Sequence, residues 1–371
     1  MRAWPEGVLK MSLEWLLLLS MAALPDQAAA RPALSPLPVE ENGHRKVPAR
    51  PYAPPPEALE VLRESLEPPD RPYAAELTVT RHEGAAGRAV SRRMAVRFSP
   101  PAFYRRELLG PSGEIQQLVV EDGKSEWIHD PARRKVWQGE PADALFKRFG
   151  PDEELDRLAE NYEASIAPGG RVAGRSCWRL ELRSRSDAAL ARRLCIDRES
   201  FLVLRSDTFR PDGSLADSVR FTRLKLGVAP DPELFRFSPP AGSTVVKRGE
   251  PDYLALDEAK AASGLDPRLP AWLPPGYVFE SLDVIPKGRR SVVHYRFSDG
   301  INVISLFQCP PRVRLDLGGR QRKRVSLAVG RGYRTQTAEG NVLAWTSGGR
   351  RFVLVGPVSD ATLERMAESV P

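Results

Sequence analysis

The residues that could do chemistry are few and poorly placed for it. Four histidines, His44, His82, His129 and His294, are scattered over a chain of 371 residues, and no two have the spacing of a metal-ligand pair. No G-x-S-x-G elbow, Walker loop or G-x-G-x-x-G turn occurs, and no serine or cysteine is brought near a histidine by spacing alone. The acidic residues fall mainly in expected turns and helix caps, where they solvate a surface. The sequence therefore predicts no catalytic residue, no metal and no cofactor. It points to a protein that binds.

Three cysteines remain: Cys177, Cys195 and Cys309. The first two lie in a stretch, Arg171 to Val246, that reads as a meander of antiparallel strands. Trp178, Leu180 and Leu182 alternate with Arg179, Glu181 and Arg183, and Leu194 and Ile196 alternate with Arg193, Cys195 and Asp197. Folding these runs about Ser186 sets Trp178 opposite Leu194 and Cys177 opposite Cys195. That pairing makes a disulfide in an oxidising compartment; a slipped register leaves two thiols instead. Cys309 is expected as a buried thiol.

The elements around the meander follow from period and punctuation. Leu59, Leu62 and Leu66 predict a helix over Glu57–Leu66 after a proline run. Strands are expected at Tyr73–Arg81, Ala89–Phe98, Tyr104–Leu109, Ile115–Val120, Glu126–His129 and Arg133–Gln138, with turns at Pro111-Ser112-Gly113 and Asp122-Gly123. Helices are expected at Ala142–Phe149 and at Asp152–Ile166, where Leu155, Leu158, Ala159 and Tyr162 form a stripe. Pro251, Pro267 and Pro270 mark a connection with a short helix near Ala255–Ala262. Strands then recur at Tyr277–Val284, Ser291–Phe297, Ile301–Gln308, Arg331–Thr337, Asn341–Trp345 and Phe352–Val355. Asp299-Gly300 is the strongest hairpin signal, and a helix from Asp360, capped by Ser359 or Asp360, closes the chain.

Residues 1–30 have the layout of a secretory signal: basic Arg2 and Lys10, an apolar run over Leu16–Leu24, and Ala28-Ala29-Ala30 as a cleavage site. An uncleaved anchor is the other reading, though the apolar run is short for a span. The formal net charge is +7 for the whole chain. Export argues against nucleic acid as the partner of so basic a protein. Anionic headgroups, lipopolysaccharide phosphates or an acidic peptide suit it better, and an arginine-rich solvated surface accounts for it equally well.

The order of several short motifs resembles a known family. Val172-Ala173-Gly174-Arg175, Asp197, Leu204-Arg205-Ser206-Asp207, Asp212-Gly213 and Phe235-Arg236-Phe237 with Pro239-Pro240 carry the first likeness. Leu273-Pro274-Pro275-Gly276-Tyr277, Phe297-Ser298-Asp299-Gly300 and Val303-Ile304-Ser305-Leu306-Phe307 carry the second. Both resemble the periplasmic sigma-E regulatory proteins called RseB or MucB, which share a fold with the lipoprotein carriers LolA and LolB. The resemblance implies an α+β fold. A half-open antiparallel β-barrel of the LolA type would cover helices on its concave side, and a small β-rich C-terminal domain with one helix would follow. The expected division is a signal peptide over 1–30, a Pro-rich disordered spacer over 31–56, the barrel domain over 57–247, a linker over 248–272 and the small domain over 273–371.

The resemblance further implies a non-enzymatic periplasmic regulator of envelope stress. Its partner would be the periplasmic domain of a single-span anti-sigma factor, and its second ligand lipid, lipopolysaccharide or the acyl chains of a mislocalised lipoprotein. A lipid or lipoprotein carrier, or an envelope binding protein without a regulatory partner, is the alternative. Tyr104, Leu108, Trp127, Trp137, Phe146, Phe149 and Tyr162 are either a filled core or the wall of an acyl-chain cavity. For the protein partner, the expectation falls on Tyr295, Phe297 and Phe307 of one hairpin and on Arg320, Arg322, Lys323 and Arg324 of a basic run. That run is otherwise a solvated loop.

Overall fold

The computed structural model describes residues 56–67, 69–82, 89–139, 151–247, 254–287, 289–310, 313, 322–337 and 340–371. The expected signal over 1–30, nearly all of the spacer and the helix expected at Ala142–Phe149 lie outside the described residues.

Two sheets carry the architecture. The first begins after helix α1 (Pro56–Leu66) with strands β1 (Tyr73–His82), β2 (Ala89–Ser99), β3 (Phe103–Leu109), β4 (Ile115–Asp122), β5 (Glu126–Asp130) and β6 (Lys135–Gly139). Helix α2 (Pro151–Asn161) follows. Then come β7 (Tyr162–Val172), β8 (Arg175–Ser184), β9 (Leu190–Asp197), β10 (Val203–Phe209), β11 (Leu215–Leu226) and β12 (Thr244–Lys247). These twelve strands lie in the order β12-β6-β5-β4-β3-β2-β1-β11-β10-β9-β8-β7. Every pairing is antiparallel except β12 with β6. The two edge strands do not pair with each other, yet the sheet curls until β7 touches β11, four positions away. The result is an α+β fold built on a half-open barrel.

Helix α1 places Ala58 and Leu62, one turn apart, in a buried cluster with Leu158 of α2 and with Tyr162, Leu180, Leu182, Leu194 and Ile196. A larger cluster gathers Tyr73, Met94, Phe98, Tyr104, Cys177, Cys195, Leu204 and Phe221, and draws nothing from either helix. Alternation along β8 and β9 sends Leu180 and Ile196 to one cluster and Cys177 and Cys195 to the other. These strands are therefore buried on both faces, and the helices sit against only one end of the sheet.

Two expectations need correction here. The helix expected to reach Ile166 stops at Asn161, and 162–172 is strand β7. From Tyr162 the buried positions fall at every second residue, Tyr162 and Ala164 against Glu163 and Ser165. Arg185 removes the reason to continue the helix. Its backbone N–H donates to the Asn161 carbonyl at 2.9 Å, and its Nε donates to the Ala159 carbonyl at 3.0 Å.

The second correction is the register of β8 with β9. Trp178 faces Ile196 rather than Leu194, and Cys177 faces Asp197 rather than Cys195. The turn is longer than a fold about Ser186 allows, because Ala188 adopts a left-handed φ of 58° and Ser184 donates to the Ala189 carbonyl. The slip is by two residues, so every side chain keeps its face. A disulfide joins Cys177 and Cys195 diagonally across the pair, both of them buried. Gly169 in β7 lies so close that a Cβ there would meet the Cys177 sulfur and the Arg179 backbone nitrogen.

The second sheet consists of β13 (Val278–Lys287), β14 (Arg290–Ser298), β15 (Val303–Cys309), β16 (Lys323–Leu327), β17 (Gly330–Thr337), β18 (Gly340–Ser347) and β19 (Arg350–Gly356), in the order β13-β14-β15-β19-β18-β17-β16. Helices α3 (Leu256–Ser263) and α4 (Asp360–Glu368) cover one face. Gly264 takes the left-handed φ of +67° that ends α3, and the Ser359 hydroxyl accepts the Thr362 N–H at 3.1 Å to start α4. The opposite face holds Val292, Phe307, Cys309, Val342 and Val353. Burial on both faces explains why β14, β15, β18 and β19 read as apolar runs rather than strict alternation.

Candidate functional site

A buried polar joint connects the two sheets, and it is built on the Asp299-Gly300 turn. One carboxylate oxygen of Asp299, Oδ1, accepts the N–H groups of Ile301 at 2.9 Å and Asn302 at 2.6 Å, which fixes the turn between β14 and β15. The other, Oδ2, accepts the hydroxyl of Tyr162 at 2.7 Å and the Asn302 amide at 3.2 Å. Tyr162 begins β7 of the first sheet, so this carboxylate ties one sheet to the other.

Asn161, the last residue of α2, adds two bonds. Its amide donates to the carbonyls of Gly276 and Asp299, each at 2.9 Å. Gly276 and Gly300 hold positive φ of +83° and +97°; a Cβ would run into Asn161 at the first and press on Leu158 at the second. Both glycines are thus required by close approach as well as by backbone. Burial, and then the negative charge of Asp299, push the hydroxyls of Tyr162 and Tyr277 well above the ordinary tyrosine range. Both remain neutral donors at any working pH. The seam can hold two bodies in one geometry.

A second polar row has the connectivity of a nucleophilic triad. His294 Nδ1 lies 3.2 Å from Asp283 Oδ1, and His294 Nε2 lies 3.1 Å from the Ser305 hydroxyl. The three residues are eleven apart in sequence and sit on the neighbouring strands β13, β14 and β15. Spacing by one hairpin length was the available signal, and it was missed. Ser305 is only 1% exposed and the imidazole stacks on Phe307 with centroids 4.4 Å apart. A hydroxyl buried in mid-sheet meets no substrate, so the row satisfies polar groups inside the sheet.

The seven residues expected to line an acyl cavity do not converge. Register puts Arg106, Val119, Ile128 and Trp137 in one row across β3 to β6, and Tyr104, Glu121 and Glu126 in the next, all on one face. Tyr104, Leu108 and Trp137 therefore share a face. Its centre is charged: Arg106 pairs with Glu121 and lies 3.8 Å from Glu126, all three buried. Trp127 points to the other face, against Phe237 at 5.7 Å, and Tyr162 belongs to the helix-side cluster and the joint. Phe146 and Phe149 lie outside the described residues.

The partner-binding residues divide as well. Tyr295, Phe297 and Phe307 are 0%, 1% and 2% exposed, the first two under α3 and α4 and the third on the opposite face. They are core side chains and form no docking surface in this fold. Arg322, Lys323 and Arg324 are exposed, but the run does not lie wholly in a loop: Lys323 and Arg324 open the edge strand β16. Arg320 lies outside the described residues.

An open twelve-stranded curl is thus fastened by a buried polar seam to a second, two-faced sheet. Residues 107–239 match the model of the MucB/RseB N-terminal domain. The sigma factor AlgU regulatory protein MucB of Pseudomonas aeruginosa is 27% identical over 271 residues, which cover 72% of this chain and 76% of that protein. The crystal structure of MucB in complex with MucA(peri) matches with a TM-score of 0.53 at 21% identity, over 85% of this chain and 98% of that one. The complex structure of Pseudomonas aeruginosa MucA/MucB matches with a TM-score of 0.51, at the same identity and coverage. Over these stretches the chain is similar to the MucB/RseB proteins.

Proposed function

We propose that this protein is an exported periplasmic regulator of sigma-factor signalling that binds the periplasmic part of a membrane anti-sigma protein. The observation that carries the reading is the similarity to MucB, a regulator of the sigma factor AlgU, across nearly three quarters of the chain. The likeness to MucB in its complex with MucA(peri) supports the same fold. Among the described residues no helix is long and apolar enough to cross a membrane.

The protein acts by binding and not by catalysis, in keeping with the burial of Ser305 in its hydrogen-bonded row. An acyl chain or mislocalised lipoprotein is the releasing ligand. Release is linkage: a ligand that favours the partner-free arrangement weakens partner binding by the ratio of its own affinities for the two states. The test is a crosslinked pull-down of the tagged protein from its native envelope, read by mass spectrometry. Recovery of a single-span anti-sigma protein, reduced by added lipid, is the expected result. Recovery of lipid or lipoproteins without such a protein would replace the regulator by a carrier.

A further inference from the structure

The two sheets end in four edge strands, and three are blunted. Strand β7 carries Pro168 and a register break between Pro168 and Arg171, β12 is four residues long, and β13 has a register break after Phe279 and Pro286 further on. Such features stop another strand from adding to a sheet. Strand β16 has no proline and no register break. Its five residues pair with β17 from Lys323↔Arg334 to Leu327↔Gly330 without a break, and among the described residues they pair with nothing on the other side. Val325 and Leu327 pack on the core beneath α3 and α4, so the strand is anchored in place.

What β16 has instead is charge. Arg322, Lys323 and Arg324 are exposed, and no acidic side chain among the described residues pairs with them. Across the ladder, Lys323 faces Arg334, whose guanidinium is already engaged with Asp360 at 3.1 Å and Glu364 at 3.2 Å. Arg322 lies over the Tyr333 ring, 5.0 Å from its centroid. Three adjacent cations at an open edge repel a second copy of the same edge. They attract an acidic strand, whose backbone then meets a free row of N–H and C=O groups.

We propose that the free edge of β16 is a peptide-docking site that takes an extended acidic segment of the protein partner as an eighth strand of the second sheet. This rests on the partner reading above and names where and how that partner is held. Backbone pairing supplies a contact that any sequence can make, and the cations at 322–324 restrict it to acidic segments.

The probe is the purified periplasmic part of the anti-sigma protein recovered with this chain, titrated into the full chain and into the variant Arg322→Glu/Lys323→Glu/Arg324→Glu. Hydrogen exchange is followed at the amides of 323–327 in parallel. The expected result is wild-type binding that weakens with salt, at least a tenfold loss of affinity in the variant, and slowed exchange at 323–327 on binding. A folded variant, shown by unchanged circular dichroism and melting temperature, that binds as well as wild type overturns the site while leaving the partner reading intact. A charge-dependent affinity with no slowing at 323–327 places the partner on the side chains alone and overturns the added strand. Failure of the wild type to bind the probe removes the partner reading, and this inference falls with it. Should the triple variant fail to fold, Ser326→Pro replaces it, removing one backbone donor from the exposed strand without touching the charges, and reduced binding is expected.

Discussion

The two sheets solve the problem of burying a strand in opposite ways. In the second sheet both faces carry apolar clusters, and the central strands β14, β15, β18 and β19 are nearly continuous runs of buried residues. The buried polar groups among them, the Asp283–His294–Ser305 row and Arg296 with Glu280 at 2.9 Å, are paired within the sheet. The first sheet is curled and open, and its buried face includes the ion cluster of Arg106, Glu121 and Glu126 as well as a disulfide. A sheet packed on both faces holds its shape chiefly by packing. A curl with buried charge has its geometry specified by pairings that can each be lost separately.

The largest effect is expected at the ion cluster. Arg106→Met leaves Glu121 and Glu126 directly opposite each other across β4 and β5, at a cost of about 3–5 kcal/mol. Replacing all three by Arg106→Met, Glu121→Leu and Glu126→Met should recover most of the loss, since apolar residues of similar volume often substitute for buried ion pairs. Denaturant midpoints check both. Leu354→Ala, at a residue 0% exposed in the second sheet, should cost about 2–5 kcal/mol with no such rescue by a polar partner. Equal behaviour of the two sheets would erase the comparison.

Removing the disulfide comes next. It closes a loop of 18 residues, and Cys177→Ser with Cys195→Ser should cost about 2–4 kcal/mol, seen as a lower melting temperature that reductant no longer changes. The joint is milder. Tyr162→Phe removes one hydrogen bond to Asp299, expected to cost about 1–2 kcal/mol. Proteolysis of the segment between the sheets should become faster, whereas packing within either sheet should stay intact.

The smallest effect is a pH dependence at Asp197. Burial pushes its carboxyl up, but Arg175 and the N–H groups of Glu199 and Ser200 outweigh that and hold it below the usual range. A depressed folded-state pKa stabilises the fold above the unfolded value of about 3.9 and is lost as pH falls through the lower folded value. Asp197→Asn should therefore reduce stability at neutral pH and flatten the decline below about pH 4, as followed by melts across pH.

Much of this was legible in the residues. Period and turn chemistry placed most strands to within one or two positions, and Asp299-Gly300 announced its hairpin. What that turn does was not legible. Its carboxylate reaches Tyr162, 137 residues away in sequence, and no local pattern reports such a contact. The α2–β7 boundary was misread because Leu155, Leu158 and Tyr162 fit a helical stripe, although Tyr162 is the first residue of a strand. Parity carried the β8–β9 pairing across a two-residue slip because alternation fixes the face and leaves the register to the turn. The aromatic residues were ambiguous in a different way: Tyr295, Phe297 and Phe307 are as apolar as a docking hot spot, and only burial on both faces of the sheet assigns them to the core.

Under the proposed function, the folded protein binds the periplasmic part of an anti-sigma protein. Titration calorimetry of the full chain against the periplasmic part of the single-span anti-sigma protein from the same envelope tests it most directly. Saturable one-to-one binding that lipid vesicles weaken is the expected result. A chain that keeps its circular dichroism spectrum and cooperative melt but releases no binding heat and gives no complex on gel filtration would contradict it.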